Sequence, residues 1–133
     1  IIIISIGLLG MAGLQVTTLR NNNSSSMRTQ ATFLAEDMAE RMRSNTVGVT
    51  AGNYATSPSC SCSIATGCTA LDLAAYDLCD WGNSLDVASS NSGLPLGTGS
   101  VTSLPNGIFR IRVTWDDDRD GVADDSFDME FRP

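Results

Sequence analysis

A chain of 133 residues with no lysine, no histidine and a net charge of −7 is poorly equipped to hold nucleic acid, which needs a basic face. The missing histidine also removes the commonest general base and the commonest zinc ligand, which argues against hydrolytic or zinc chemistry. The charge is uneven: residues 1–44 carry four arginines against three acids, whereas residues 45–133 carry four against twelve.

In chain order, residues 1–45 are predicted to form one continuous helix with two characters. The run IIIISIGLLGMAGL has Ser5 as its one polar residue and no charge. At 1.5 Å per residue it makes about 21 Å of helix, short of the ~30 Å hydrocarbon thickness. A signal-peptide core, a buried helix and the last part of a membrane span all fit that length. Because the helical pattern continues beyond it, we expect a span that stays attached to its domain. Gly7, Gly10 and Gly13 recur every three residues, which permits close helix approach at the cost of local helix stability. The polar stretch after Leu19 marks the lipid or filament boundary. Beyond it, Met27, Ala31, Leu34, Ala35, Met38 and Met42 recur at spacings of three and four and lay one apolar stripe along the helix. The expected division is therefore an apolar membrane or filament-core half over residues 1–25, and a globular domain over 26–133 that includes the amphipathic half.

Asn45 suits a helix C-terminus, and the Gly-, Ser- and Thr-rich residues 46–68 are expected to form a long loop. Thr69 with Asp72 three positions on resembles a capping box, with Asp in place of Glu. Leu71, Ala74, Ala75, Leu78, Trp81 and Leu85 give a second helical stripe over about residues 70–86. A short strand over 99–104 and a Pro105-Asn106-Gly107 turn follow. Then IFRIRVTW and SFDMEFR alternate strictly, with Phe109, Ile111, Val113 and Trp115 on one face of the first strand and Phe127, Met129 and Phe131 on one face of the second. Paired as a hairpin, they set Arg110 and Arg112 against Asp128 and Glu130. The expected architecture is α+β: a long N-terminal helix packed on an antiparallel sheet of three or four strands, with a second helix between them.

This layout resembles the type IV pilins. The segments SIGLLGMAGLQ, RTQATFLAEDMAERMRSN, LAAYDLCDW and LPLGTGSVT are similar, in order and over about half the chain, to PilV-type minor pilins. AERMRSN followed by LAAYDL is the most specific part, and Cys79 within the second helix departs from the pattern. The resemblance implies a non-enzymatic structural subunit, processed by a prepilin peptidase and methylated, that primes or caps a type IV pilus and supports twitching motility and adhesion. It implies partners too: other minor pilins of the PilW, PilX, PilE and FimU kinds, a major pilin and a PilY-type tip adhesin. Its location would be the inner membrane before assembly and the extracellular pilus afterwards, at the tip. Within the helix, Ile1, Ile4, Gly7, Leu8, Gly10, Met11 and Leu14 are then the residues expected to pack in the membrane or filament.

Two constellations remain. Cys60, Cys62, Cys68 and Cys79 fall within twenty residues of a domain expected outside the cytoplasm, where disulfides are the default. A Cys60–Cys62 ring would be very small, which leaves the two pairings that join this CxC to Cys68 and Cys79. In WDDDRDGVADD, Asp116, Asp118 and Asp120 supply oxygens at positions 1, 3 and 5 of a calcium loop, Gly121 the turn, Val122 a carbonyl and Asp124 a further oxygen. Position 12 is Phe127 rather than the bidentate Glu, with Asp125 or Asp128 as substitutes. Calcium is thus the one cofactor the chain suggests, and a calcium-dependent adhesion module or a minor pseudopilin of type II secretion is the alternative function. No G-x-S-x-G or P-loop accompanies them.

Overall fold

The computed structural model describes residues 2–63 and 65–133. Helix α1 runs unbroken through Ile2–Ser44. Just past its polar centre, Thr29 and Thr32 satisfy their hydroxyls within the helix by donating to the carbonyls of Ser25 and Arg28. Short helix α2 (Thr46–Thr50), a 3₁₀ turn (Asn53–Ala55), helix α3 (Ala70–Leu85) and strands β1 (Thr98–Leu104), β2 (Ile108–Trp115) and β3 (Asp125–Phe131) follow.

The sheet is antiparallel in the order β1-β2-β3. A tight three-residue turn, Pro105 to Gly107, joins β1 to β2, with Asn106 and Gly107 both at positive φ, a conformation asparagine and glycine tolerate best. Strict alternation then fixes the packing. Phe109, Ile111, Val113 and Trp115 all face the core, as does Phe131, while Phe127 and Met129 are half-buried. Against this face lie Met27, Ala31, Ala35, Met38, Ala39 and Met42 of α1. Alanine at three of those positions lets the helix axis approach the aromatic strand face closely. Leu34 is half-buried at the rim, less than the expected stripe implies.

Helix α3 closes the side of this core with Ala74, Leu78, Trp81 and Leu85. Its start is the expected capping box: Thr69 Oγ1 accepts from Asp72 N–H and the Asp72 carboxylate accepts from Thr69 N–H. Leu71 corrects the stripe, being half exposed in the first turn, where the helix has not yet reached the core. Gly99 in β1 is required where it stands, since a Cβ there would lie 2.3 Å from the Trp81 ring and 2.6 Å from Leu85.

Residues 46–68 differ from the expected loop by containing α2 and the 3₁₀ turn. The cause is Asn45, which is buried and caps α2 by accepting the Gly48 N–H rather than ending α1 in solvent.

Candidate functional site

Three regions of this scaffold carry chemistry or surface beyond ordinary packing. The first is the protruding part of α1. Ile4, Leu8, Met11 and Leu14 are each about two-thirds exposed or more, and added Cβ atoms at Gly7 and Gly10 would meet nothing within 4 Å. Ile1 of the expected packing set lies outside the described residues. Helix α1 is long and apolar enough in its first part to cross a membrane, and none of that apolar window is buried among the described residues. A contiguous exposed apolar surface of this kind marks a lipid or protein contact.

The second is the polar tie that holds the loop region onto the helices. Tyr54, buried in the 3₁₀ turn, donates its hydroxyl to Asp77 Oδ2 at 2.7 Å. Asn45 Nδ2 donates to the Ala70 carbonyl at 2.9 Å and to Tyr54 Oη at 3.3 Å. Arg41 completes the group, 3.0 Å from Asp37, 2.8 Å from Asp80 and 3.8 Å from Asp77. Burial pushes the Asp77 carboxyl above its ordinary range, while the Tyr54 hydrogen bond and Arg41 oppose the shift. Burial likewise raises Tyr54, helped by Asp77, so the phenol stays protonated and remains a donor. Sequence patterning gave no sign of this cluster: its members are polar residues at positions with no periodic signature.

Two disulfides complete that region, Cys60 to Cys79 and Cys62 to Cys68. The first ties the loop to α3 and the second closes a short ring within the loop. Among the described residues no cysteine is free.

The third region is the β2–β3 connection. Asp116 is buried and both its oxygens are engaged, Oδ1 accepting from Arg119 N–H at 2.6 Å and Oδ2 from Gly121 N–H at 2.9 Å. The turn needs positive φ at both Arg119 and Gly121. This curls the chain so that carboxylate oxygens of Asp116, Asp118 and Asp120 lie within 4.8 Å of one another. Asp124 is not among the three that gather, and its N–H bonds to the Val122 carbonyl at 3.1 Å. Each oxygen of Asp116 keeps a lone pair after its backbone bond, so the three carboxylates remain able to ligate a hard cation. Beside them, burial and then the neighbouring Asp117 and Asp124 hold the Asp125 carboxyl above its usual range, with Arg28 of α1 opposing.

On the outer sheet face the expected charge pairs form at opposed register positions. Arg110 meets Glu130 at 2.6 Å and Arg112 grips Asp128 through two 2.6 Å bonds, which lowers the Asp128 pKa.

A long helix, bare in its first half and docked in its second on a three-stranded antiparallel sheet, with a disulfide-tied loop and helix between them, defines the class: an α+β, type IV pilin-like subunit. The chain belongs to the Tt1218-like family of type IV pilins, whose model, described as type IV pilin Tt1218, matches residues 13–79, half of its length. Neither the comparison with curated proteins nor that with solved structures yields a match. Membership carries with it the character of a structural subunit that works with other pilus components, and it agrees with an apolar helix fit for membrane anchoring before assembly.

Proposed function

We propose that the chain is a minor pilin of PilV type, an assembly subunit that primes or caps the pilus rather than forming its bulk. The observation that carries the reading is α1 itself. Its exposed apolar half continues without a break into a half locked onto the sheet, so a contact made by the first half positions the domain rigidly. Other minor pilins of the PilW, PilX, PilE and FimU kinds, a major pilin and a PilY-type tip adhesin are the partners this role requires. The inner membrane and then the pilus tip are its locations. Deletion of the gene tests it: loss of surface pili and of twitching is the expected result. A secretion defect with normal pili would instead make the chain a minor pseudopilin of type II secretion.

The gathering of Asp116, Asp118 and Asp120 favours a second reading, in which the β2–β3 turn binds calcium and the displayed domain supports adhesion. The six carboxylates within residues 116–125, with only Arg119 among them to oppose, repel one another, and a divalent cation offsets that repulsion. Intact pili with lost surface attachment in the deletion strain is the outcome this reading expects.

A further inference from the structure

The acidic turn does not stand clear of the helix. Arg20 and Asn23 of α1 and Asp117, Asp118 and Arg119 of the β2–β3 connection together line a groove of about 530 Å³. Among the described residues neither the Arg20 nor the Arg119 guanidinium has an ion-pair partner. Asp117 Oδ1 is buried and receives no hydrogen bond. The groove therefore sets two guanidiniums that have no ion-pair partner among the described residues beside the carboxylates of Asp117 and Asp118. Guanidinium forks match the oxygens of a phosphate. The Asp117 and Asp118 carboxylates accept N–H bonds from an ammonium, and the Asn23 amide can serve either partner. An inorganic phosphate alone would leave the carboxylates facing an anion, and a metal cation alone would leave the two arginines facing a cation. A molecule with both charges a few bonds apart satisfies every group.

Position selects among such molecules. The apolar run of α1 ends at Leu19 and its first charge is Arg20, so the groove opens at the level where the helix leaves hydrocarbon and lipid headgroups begin. Exposed Val16 lies one turn below Arg20 and exposed Leu19 one turn below Asn23, where acyl chains would run. We propose that this groove takes a phosphate–ammonium zwitterion, the phosphoethanolamine headgroup, with the arginines on the phosphate and Asp117 on the ammonium. A choline headgroup has no N–H to give Asp117 and is discriminated against. The inference rests on the reading of α1 as a membrane helix.

The test uses the full chain in nanodiscs of equimolar phosphatidylethanolamine, phosphatidylcholine and phosphatidylglycerol, with chelator present so that no divalent cation competes for Asp118. Native mass spectrometry then reads which lipid is retained. Retention of phosphatidylethanolamine is expected to exceed that of the other two by about tenfold, the worth of one charge-assisted hydrogen bond, and to fall to parity in Asp117→Asn, whereas Arg119→Gln lowers retention of all three lipids together. Vesicle flotation of each protein separates the possible failures. Flotation without selection, selection that survives Asp117→Asn, or retention unchanged in Arg119→Gln overturns the groove assignment alone, whereas a chain that does not float overturns the membrane reading beneath it. Titration of the detergent-solubilised chain with dihexanoyl phosphatidylethanolamine and with free O-phosphoethanolamine identifies the source. Tighter binding of the lipid assigns it to the bilayer, equal binding of both assigns the same chemistry to a soluble molecule, and binding of neither overturns the proposal.

Discussion

Trp81 donates its indole N–H to the carbonyl oxygen of Leu34 at 2.8 Å, a side chain of α3 bonding to the backbone of α1 forty-seven residues away. The same ring lies against Gly99 of β1. One residue thus fixes the spacing of both helices and the first strand, and the sequence would show its importance only through a glycine in an otherwise ordinary strand.

Gly99→Ala is expected to destabilise the domain by about 1–3 kcal/mol, because its Cβ would overlap the Trp81 ring and Leu85. Trp81→Phe should cost about 2–4 kcal/mol through lost packing and the lost indole bond to Leu34. In the double variant the smaller ring relieves part of the overlap, so its cost should be less than the sum of the two single costs. Urea unfolding of the four proteins measures the coupling, and strict additivity would refute the contact.

Asp77 makes stability depend on pH. In the unfolded chain it ionises near 3.8, and burial in the fold raises that value. Between the two values the folded state holds the extra proton, so this residue's contribution to stability falls as pH rises through the window and levels off above it. Asp77→Asn should remove that decline. Unfolding free energies measured from pH 3.5 to 7 are expected to show the wild type losing ground to the variant as pH rises; the opposite slope would contradict the burial argument.

Both disulfides should stabilise the domain, unequally. Cys60 and Cys79 are 19 residues apart and Cys62 and Cys68 are 6 apart, so chain entropy gives about 3 and about 2 kcal/mol. Paired Cys→Ala variants in urea unfolding test the order. Peptide mapping of the non-reduced protein should recover the Cys60–Cys79 and Cys62–Cys68 pairs, and a Cys60–Cys68 peptide would overturn the pairing.

Calcium is expected to raise the melting temperature of the domain. With three gathered carboxylates and no bidentate glutamate, the dissociation constant should be on the order of 10⁻⁴–10⁻³ M. A tenfold excess then adds roughly 1.4 kcal/mol, on the order of 5–10 °C for a domain of this size. Melting in millimolar calcium and in chelator, for wild type and Asp118→Ala, is the measurement. Equal melting temperatures for the wild type would leave the turn as a solvated acidic loop.

Much of the fold was legible because it is periodic. The Met27-to-Met42 stripe, the alternation of Phe109, Ile111, Val113 and Trp115, and the Thr69–Asp72 cap each state a local geometry that the packing keeps. The opposed charges of Arg112 and Asp128 even gave the hairpin register. What stayed hidden depends on tertiary neighbours. Asn45 looks like a helix stop and becomes a buried bridge only because Tyr54 and Ala70 come to it. Leu71 fits the α3 stripe by number and points to solvent because the core begins a turn later. The cysteine pairing was ambiguous because Cys60 and Cys62 are two residues apart, so spacing alone cannot choose between them. In the acidic turn, the left-handed Arg119 decides which aspartates meet, and nothing in an arginine announces a positive φ.

The unbroken α1 has a mechanical consequence. At 1.5 Å per residue its 43 residues form a rod of about 65 Å, attached to the domain along its second half from Met27 to Met42. A pull on the free end enters the domain parallel to that seam, as shear, so Met27, Met38, Met42 and the Trp81–Leu34 bond must yield together rather than one after another. Neither disulfide crosses the seam, since one joins the loop to α3 and the other closes the loop on itself. The crosslinks therefore stiffen the side of the domain and carry none of that shear, and apart from the backbone link where α1 runs into Asn45 the grip on the rod is noncovalent.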